Sequence, residues 1–312
     1  MPTGSRTTVH HVDIDAPPDV VYSIIADATQ WPLYFTPTVH VERSAIDGAT
    51  ERLHIWATAN GEVKSWTSRR QLDPARRTIA FRQEKSSPPV TSMGGRWTAD
   101  EAVGGGTVLT LAHDFTAEDD AGLDWLTRAT DRNSDAELRG IKALAERWER
   151  RSRTCRTFED SVVIEAPLDT VYEFLYEAGK WTDRLPHVSA MDLREDVENV
   201  QVMTMRTTTA DGSSHTTESV RVCFAPTRIA YKQVVTPALM SAHTGEWTLR
   251  AVPEGVRAVS RHSVVIEESA VTRILGADAT VDTALDFVRG ALGRNSTATL
   301  GLAKEYAEAG RG

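Results

Sequence analysis

Apolar residues recur three or four apart from Val20 and Val21 through Ile24, Ile25 and Ala28 to Trp31, the spacing of one buried helical face. Pro17-Pro18 opens this stretch, and the first turn of a helix accepts proline. Asp15, just ahead of Ala16, stands where an acid can cap the helix. Upstream, His10-His11-Val12-Asp13-Ile14 alternates like a strand. Downstream, strand-like runs at 39–45, 51–59, 62–72, 78–84, 93–101 and 107–115 are punctuated by Asp47-Gly48, Asn60-Gly61, Asp73-Pro74 and Gly104-Gly105-Gly106. Such punctuation predicts an antiparallel meander of about six strands added to the opening one. From Leu123 the pattern turns helical: Leu138, Ile141, Leu144 and Trp148 lie three or four apart, and Arg147, Arg150, Arg151 and Arg153 suit a helix C-terminus.

The same order is written a second time. Glu165-Ala166-Pro167-Leu168 opens a stretch in which Val171, Tyr172, Phe174, Leu175, Ala178 and Trp181 keep the helical spacing. Trp31 and Trp181 stand 150 residues apart, as do Tyr22 and Tyr172. The register persists where Ile79-Ala80-Phe81 meets Ile229-Ala230-Tyr231, and where Gly95-Arg96-Trp97-Thr98 meets Gly245-Glu246-Trp247-Thr248. Arg132-Asn133-Ser134 meets Arg294-Asn295-Ser296 at 162, so about a dozen residues enter before the last helix of the second copy. A period this long marks a duplicated domain rather than a solenoid unit. The second copy predicts strands through 201–209, a turn at Asp211-Gly212, strands at 215–224, 229–235, 242–252 and 257–267, and a terminal helix over about 278–309. A long C-terminal helix laid across a curved antiparallel sheet is the helix-grip fold. The expected class is α+β: two tandem domains over 1–154 and 155–312, each with about seven strands around a cavity.

Composition narrows the functions. With 40% hydrophobic and 25% charged residues the chain is of the globular type. A net charge of −9 argues against nucleic acid or an anionic membrane as the main partner. Cys155 and Cys223 offer neither metal spacing nor a disulfide framework, so no metal is expected. No apolar run approaches a membrane span, and residues 1–8 lack a signal core. A cytoplasmic location is expected.

Several residues carry candidate chemistry. On a strand alternate side chains share a face, so Trp66, Ser68 and Arg70 point together, and inward if Trp66 does. An arginine in an apolar pocket stays charged and offers several donors to a developing oxyanion; the plainer alternative is an exposed strand arginine. His113 shares a face with Leu109, Leu111 and Phe115. It is either a proton carrier or a neutral core histidine. Asp131, in the first turns of the long helix, either faces His113 or caps the helix. Trp31, Phe35, Trp66, Met93 and Trp97 are core residues that also fit the lining of a pocket.

The Ala-Pro helix ending at Trp31-Pro32, the strand Trp66-Thr67-Ser68-Arg69-Arg70, the run Met93-Gly94-Gly95-Arg96-Trp97, Ala112-His113-Asp114-Phe115 and Asp131-Arg132-Asn133-Ser134 resemble one family in this order. It is the didomain aromatase/cyclases of bacterial type II polyketide synthases, in the polyketide cyclase branch of the START-like (Bet v 1-like) superfamily. The resemblance covers nearly the whole chain. It implies cyclisation, dehydration and aromatisation of the first ring (C7–C12) of a carrier-protein-bound, C9-reduced poly-β-ketone, without a cofactor. The implied partners are the acyl carrier protein, ketoreductase and ketosynthase of the pathway. Arg70, His113 and Asp131 match the dehydrating group of single-domain relatives, with Trp31, Phe35, Trp66, Ser68, Met93 and Trp97 around the substrate. In the second copy Trp181, Trp247 and His262 echo Trp31, Trp97 and His113, but the histidines stand 149 apart. A one-residue slip turns a strand side chain to the other face unless a bulge absorbs it. Arg221 then replaces Arg70 only if the slip is compensated; at strict spacing the match is Val220. Gly293 takes the place of Asp131, and His243 that of Met93. Arg221 and His262 are the catalytic candidates there, with Trp181, His243 and Trp247 lining. The rival expectation is a non-catalytic START-like carrier or sensor of an apolar small molecule.

Overall fold

The computed structural model describes residues 4–59, 61–208 and 214–309, so Asn60 of the first predicted turn and the whole Asp211-Gly212 turn lie outside the described residues. The chain divides into two compact units, Met1–Arg150 and Arg151–Gly312. The first runs β1 (Arg6–Ile14), α1 (Pro18–Ala26), α2 (Trp31–Tyr34), β2 (Thr38–Asp47), β3 (Thr50–Ala59), β4 (Glu62–Asp73), β5 (Thr78–Gln83), β6 (Val90–Glu101), β7 (Thr107–Ala117) and α3 (Asp120–Ala145). After α4 (Trp148–Thr154) the second runs β8 (Cys155–Ile164), α5 (Leu168–Tyr176), α6 (Trp181–Arg184), β9 (Val188–Val197), β10 (Val200–Thr208), β11 (Ser214–Phe224), β12 (Arg228–Val235), β13 (Met240–Val252), β14 (Gly255–Ile266), α7 (Glu268–Leu275) and α8 (Val281–Ala309). Each unit holds a seven-stranded antiparallel sheet in which the opening strand pairs with the last: β1-β7-β6-β5-β4-β3-β2 and β8-β14-β13-β12-β11-β10-β9. These are two tandem helix-grip domains.

The long helices close each core. In α3, Leu123, Leu126, Thr130, Ser134, Leu138, Ile141 and Ala145 form the buried stripe, packed on β1 and β7. Each large apolar residue in such a stripe contributes about 1.5–3 kcal/mol by leaving water. Asp119 caps α3 by accepting from the Gly122 amide at 2.7 Å. In α8 the stripe is mostly of smaller residues, Ala284, Ser296, Thr299, Ala303 and Ala307 with Leu285, Val288 and Leu300.

Two local expectations change. Asp15 and Glu165 do not cap α1 and α5; Pro17 and Pro167 take the cap position, and neither cap is a side-chain one. The acids' own amides donate instead to Glu146 (3.1 Å) and Glu308 (2.8 Å) near the ends of the long helices. The extra residues of the second copy form α7, a short helix with too few turns to declare itself by periodicity.

The two one-residue slips fall between the strands that pair. Ala57 opposite Lys64 corresponds to Thr207 opposite His215, so the β10–β11 hairpin is one residue longer than its counterpart. Glu101 opposite Thr107 corresponds to Ala251 opposite Val256, so the β13–β14 hairpin is one residue shorter. Facing is thereby restored in the strands themselves. Arg221 and His262, not Val220, are the counterparts of Arg70 and His113.

Candidate active site

One rung crosses each sheet on its inner face. In the first domain it reads Glu51, Arg70, Phe81, Gly95, His113 and Thr8, each directly opposite the next on neighbouring strands. In the second it reads Gln201, Arg221, Tyr231, Gly245, His262 and Phe158. Directly paired residues share a face. The glycine has a purpose here, because a Cβ on Gly95 or Gly245 would overlap the ring of Phe81 or Tyr231. With that methyl absent, the ring lies over the neighbouring strand and reaches the histidine one strand further. Phe81 meets His113 edge-on, centroids 5.5 Å apart. Tyr231 places its hydroxyl 3.1 Å from His262 Nδ1.

A cavity of about 130 Å³ lies against the second rung. Trp181, Met203, Met240 and Trp247 give it apolar walls, while Arg221, Tyr231, His243 and His262 give it a polar seam. His243 Nε2 lies 3.0 Å from His262 Nδ1, and Ser260 Oγ lies 3.2 Å from His262 Nε2. The Tyr231 hydroxyl and His243 Nε2 both face Nδ1, and the tautomer decides which group donates; with the His262 proton on Nε2, facing Ser260, Nδ1 accepts from the Tyr231 hydroxyl. Phe158 stacks on the other side of the imidazole, centroids 5.1 Å apart. Desolvation first of all depresses both imidazoles, His262 to about 4 and His243 to about 3, where each also feels or confers a neighbouring charge: His262 disfavours charge on His243, and Arg289 opposes charge on His262 while Asp160 favours it. His113 is likewise held near 4, by burial and then by His10, against Asp114. All three are neutral at neutral pH and free to accept a proton transiently. Among the described residues no group of three or more His, Cys, Asp or Glu is placed to hold a metal ion.

The profile of the family described as polyketide cyclase / dehydrase and lipid transport matches this chain twice, over residues 5–146 and 156–308. The chain belongs to that family. A granaticin polyketide synthase bifunctional cyclase/dehydratase from Streptomyces violaceoruber is 45% identical over 98% of this chain and 95% of its own length. The actinorhodin counterpart from Streptomyces coelicolor is 42% identical over 95% of each. The crystal structure of the di-domain aromatase/cyclase BexL, from the BE-7585A biosynthetic pathway, is 48% identical, covers 97% of this chain and 99% of that one, and superposes with a TM-score of 0.89. The chain is thus a polyketide cyclase/dehydratase of the didomain aromatase/cyclase kind.

Within this cyclase/dehydratase the predicted residues fall into distinct groups. Trp66, Ser68 and Arg70 share the inner face as expected, and Ser68 and Arg70 are buried. Arg70, however, is a clamp: Nε and Nη2 donate to Glu51, Nη1 to the Ile25 carbonyl at 2.8 Å and Nη2 to that of Ala26 at 2.7 Å. Its guanidinium lies 5.2 Å over Trp31, whose Phe35 neighbour sits edge-on at 6.1 Å. Trp97 belongs to the main core, and Met93 packs beside Phe115, Leu123 and Leu126.

The expected convergence of Arg70, His113 and Asp131 is corrected. Arg70 and His113 lie on one rung but three strands apart, roughly 14 Å at the usual strand spacing. Asp131 sits mid-helix, half exposed, and bonds His10 Nε2 at 3.0 Å, while His113 Nδ1 has Ser134 at 3.4 Å. Asp131 thus ties the long helix to the edge strand. The second domain makes the same tie with exchanged chemistry: Asp160 on β8 binds Arg289 of α8 (2.7 and 3.1 Å), which lies across the place where Gly293 has no side chain.

Sequence reasoning missed Glu51, Tyr231 and Ser260. A charged strand residue such as Glu51 reads as solvent-facing. Tyr231 had a visible signal, since it differs from Phe81 by one hydroxyl within a matched run.

Proposed function

We propose that this chain closes the first ring, between C7 and C12, of a carrier-protein-bound, C9-reduced poly-β-ketone and carries it through dehydration to the aromatic stage. It works within a type II polyketide synthase pathway, on intermediates presented by the acyl carrier protein after the ketosynthase and ketoreductase have acted. Full-length similarity to polyketide synthase bifunctional cyclase/dehydratases supports the reaction class. The observation that carries it is a neutral imidazole on the last strand of each sheet, half-buried at His113 and buried at His262, on the inner-face rung beside an aromatic ring.

His113 and His262 act as the proton carriers. In the aldol step an imidazole takes a proton from an activated methylene, the enolate carbon attacks the ketone, and the imidazolium returns the proton to the new alkoxide. In dehydration the imidazole takes a second methylene proton and delivers it to the departing hydroxyl, so that water leaves and a carbon–carbon double bond forms. No net proton is gained or lost. Burial that disfavours the imidazolium makes it return its proton readily in the second half of each step, at the cost of a weaker base in the first. Trp31, Phe35, Trp66, Met93 and Trp97, and in the second domain Trp181, His243 and Trp247, shape the bend of the chain. Arg70 holds the inner wall in place, because its donors are committed to Glu51 and the end of α1. An inert carrier of an apolar ligand has no use for a seam of histidines.

The test is reconstitution with a minimal polyketide synthase and its ketoreductase. The wild-type chain is expected to divert product to the C7–C12 aromatised compound, and His113→Ala and His262→Ala to yield uncyclised or spontaneously cyclised shunts. Unchanged products from both folded variants would remove the acid–base assignment.

A further inference from the structure

The two domains hold the same arginine with different partners. Each guanidinium lies 5.2 Å over a tryptophan, Arg70 on Trp31 and Arg221 on Trp181, and each donates to a carbonyl at the end of the first helix. Arg70 also has Glu51 as a direct carboxylate partner. At the matching place in the second domain stands Gln201, uncharged, whose Nε2 donates to the Tyr176 carbonyl (3.3 Å) and to Glu195 (2.8 Å) and whose Oε1 has no partner among the described residues. Glu195 acts on Arg221 only through space, since its oxygens are taken by the Tyr176 hydroxyl, the Asn199 amide and Gln201.

Among the described residues, Nε and Nη1 of Arg221 therefore have no hydrogen-bond partner, although the side chain is only 2% exposed and lines the cavity. Its other neighbours are neutral near pH 7: burial pushes the Cys223 thiol up to about 11 and raises the Tyr172 and Tyr231 phenols. A buried cation with two free donors is strongly unfavourable unless something negative or strongly accepting meets it. No Asp or Glu lines the cavity to do so.

We propose that the C-terminal cavity is an oxyanion-binding site. It takes the enolate of a cyclic 1,3-dicarbonyl or the phenolate of a newly formed aromatic ring, with Arg221 as counter-ion, in a chain that forms such rings as proposed above. An open-chain β-diketone is only a weak acid and stays mostly uncharged near pH 7, whereas a ring that locks the two carbonyls as a cyclic 1,3-dicarbonyl ionises far more readily. The charge of Arg221 thus selects later, more acidic intermediates. Arg70, already neutralised by Glu51, makes no such selection. Trp181 and Trp247 supply flat apolar walls for the ring.

Binding is measured by titration calorimetry on the full chain near pH 7.5 with 2-acetyl-1,3-cyclohexanedione, an enolate at that pH, against 2-acetylcyclohexanone, which is mainly uncharged there. Gln201→Glu gives Arg221 the carboxylate that Arg70 has, and Arg221→Met removes the charge; circular dichroism confirms folding. One trione per chain is expected, bound about tenfold or more weakly by either variant, as loss of a charge-assisted contact dictates. Gln201→Glu carries the test if Arg221→Met fails to fold. No binding by the wild type, equal binding of trione and ketone, or wild-type affinity in Gln201→Glu would overturn the site and leave a buried water as the partner of Arg221. The titration needs no turnover. A chain that binds the trione through Arg221 yet forms no ring defeats the cyclase reading and spares this site; ring formation with trione affinity unmoved by Gln201→Glu does the reverse.

Discussion

Replacing Tyr231 by Phe removes one oxygen from the C-terminal cavity and leaves the ring where it is, as Phe81 already sits in the first domain. The lost bond to His262 Nδ1 spans 3.1 Å between neutral groups, and such a bond is worth about 1 kcal/mol net. In a domain of this size that lowers the melting temperature by about 2–4 °C. The same increment, lost wholly from the transition state, slows reaction about fivefold. The pH dependence is more diagnostic than either. With the Nε2–H tautomer the hydroxyl donates to Nδ1 and favours the neutral imidazole, so removing it raises the pKa of His262 from its value of about 4. Protonation then begins at higher pH, and the acid limb of product formation moves toward neutrality. The imidazole Cε1–H resonance, followed from pH 3.5 to 8 beside the pH–rate profile, measures both. An unmoved His262 midpoint with an unmoved acid limb would refute the role given to the Tyr231 hydroxyl.

Acid should weaken the fold through the same groups. His113, His243 and His262 are depressed to about 4, 3 and 4, so the unfolded chain binds protons first and their neutral forms stabilise the fold above about pH 6.5. That stability is lost as pH falls toward 4, at up to about 1.4 kcal/mol per pH unit for each independent histidine and less for the coupled His243–His262 pair. Urea midpoints at pH 7 and pH 5 check this, and equal midpoints contradict it. Arg70→Met leaves the partly buried Glu51 with only Arg43, 3.9 Å away, and is expected to lose about 3 kcal/mol, most of it recovered by adding Glu51→Met. A double variant no more stable than the single one, by chemical denaturation, would show that the clamp is not electrostatic. Gly245→Ala drives a methyl into the Tyr231 ring and should cost about 1–3 kcal/mol, with a smaller loss in a Tyr231→Leu background. Additive losses in thermal melts would mean that the ring is not the obstacle.

The helix-grip architecture was legible because it is written twice, and because each strand is bounded by residues that must turn. Trp31 and Trp181, Gly95 and Gly245, and the helical spacing of Leu138, Ile141, Leu144 and Trp148 each report on a burial requirement. The site was legible only in part. Arg70 and His113 declared their face through their neighbours, but the partner of Arg70 is a glutamate on the adjacent strand, and pairing register cannot be read along a single strand. Asp131 could be placed on a helix but not on a side of it, since a half-turn decides between His113 and His10. The alignment of Arg221 hung on a hairpin whose extra residue becomes visible only when both strands are paired.

The bare glycine at the middle of each rung has a wider bearing. In most sheets a side chain deals with its two hydrogen-bonded neighbours; here a ring anchored on β5 or β12 influences an imidazole on β7 or β14, with an intervening strand acting as a saddle. Reactivity at the histidine is therefore adjustable from a distant, separately encoded position, and one duplicated copy can acquire a hydroxyl at residue 231 while its sibling keeps a hydrocarbon at residue 81 with no change to the strand that bears the base.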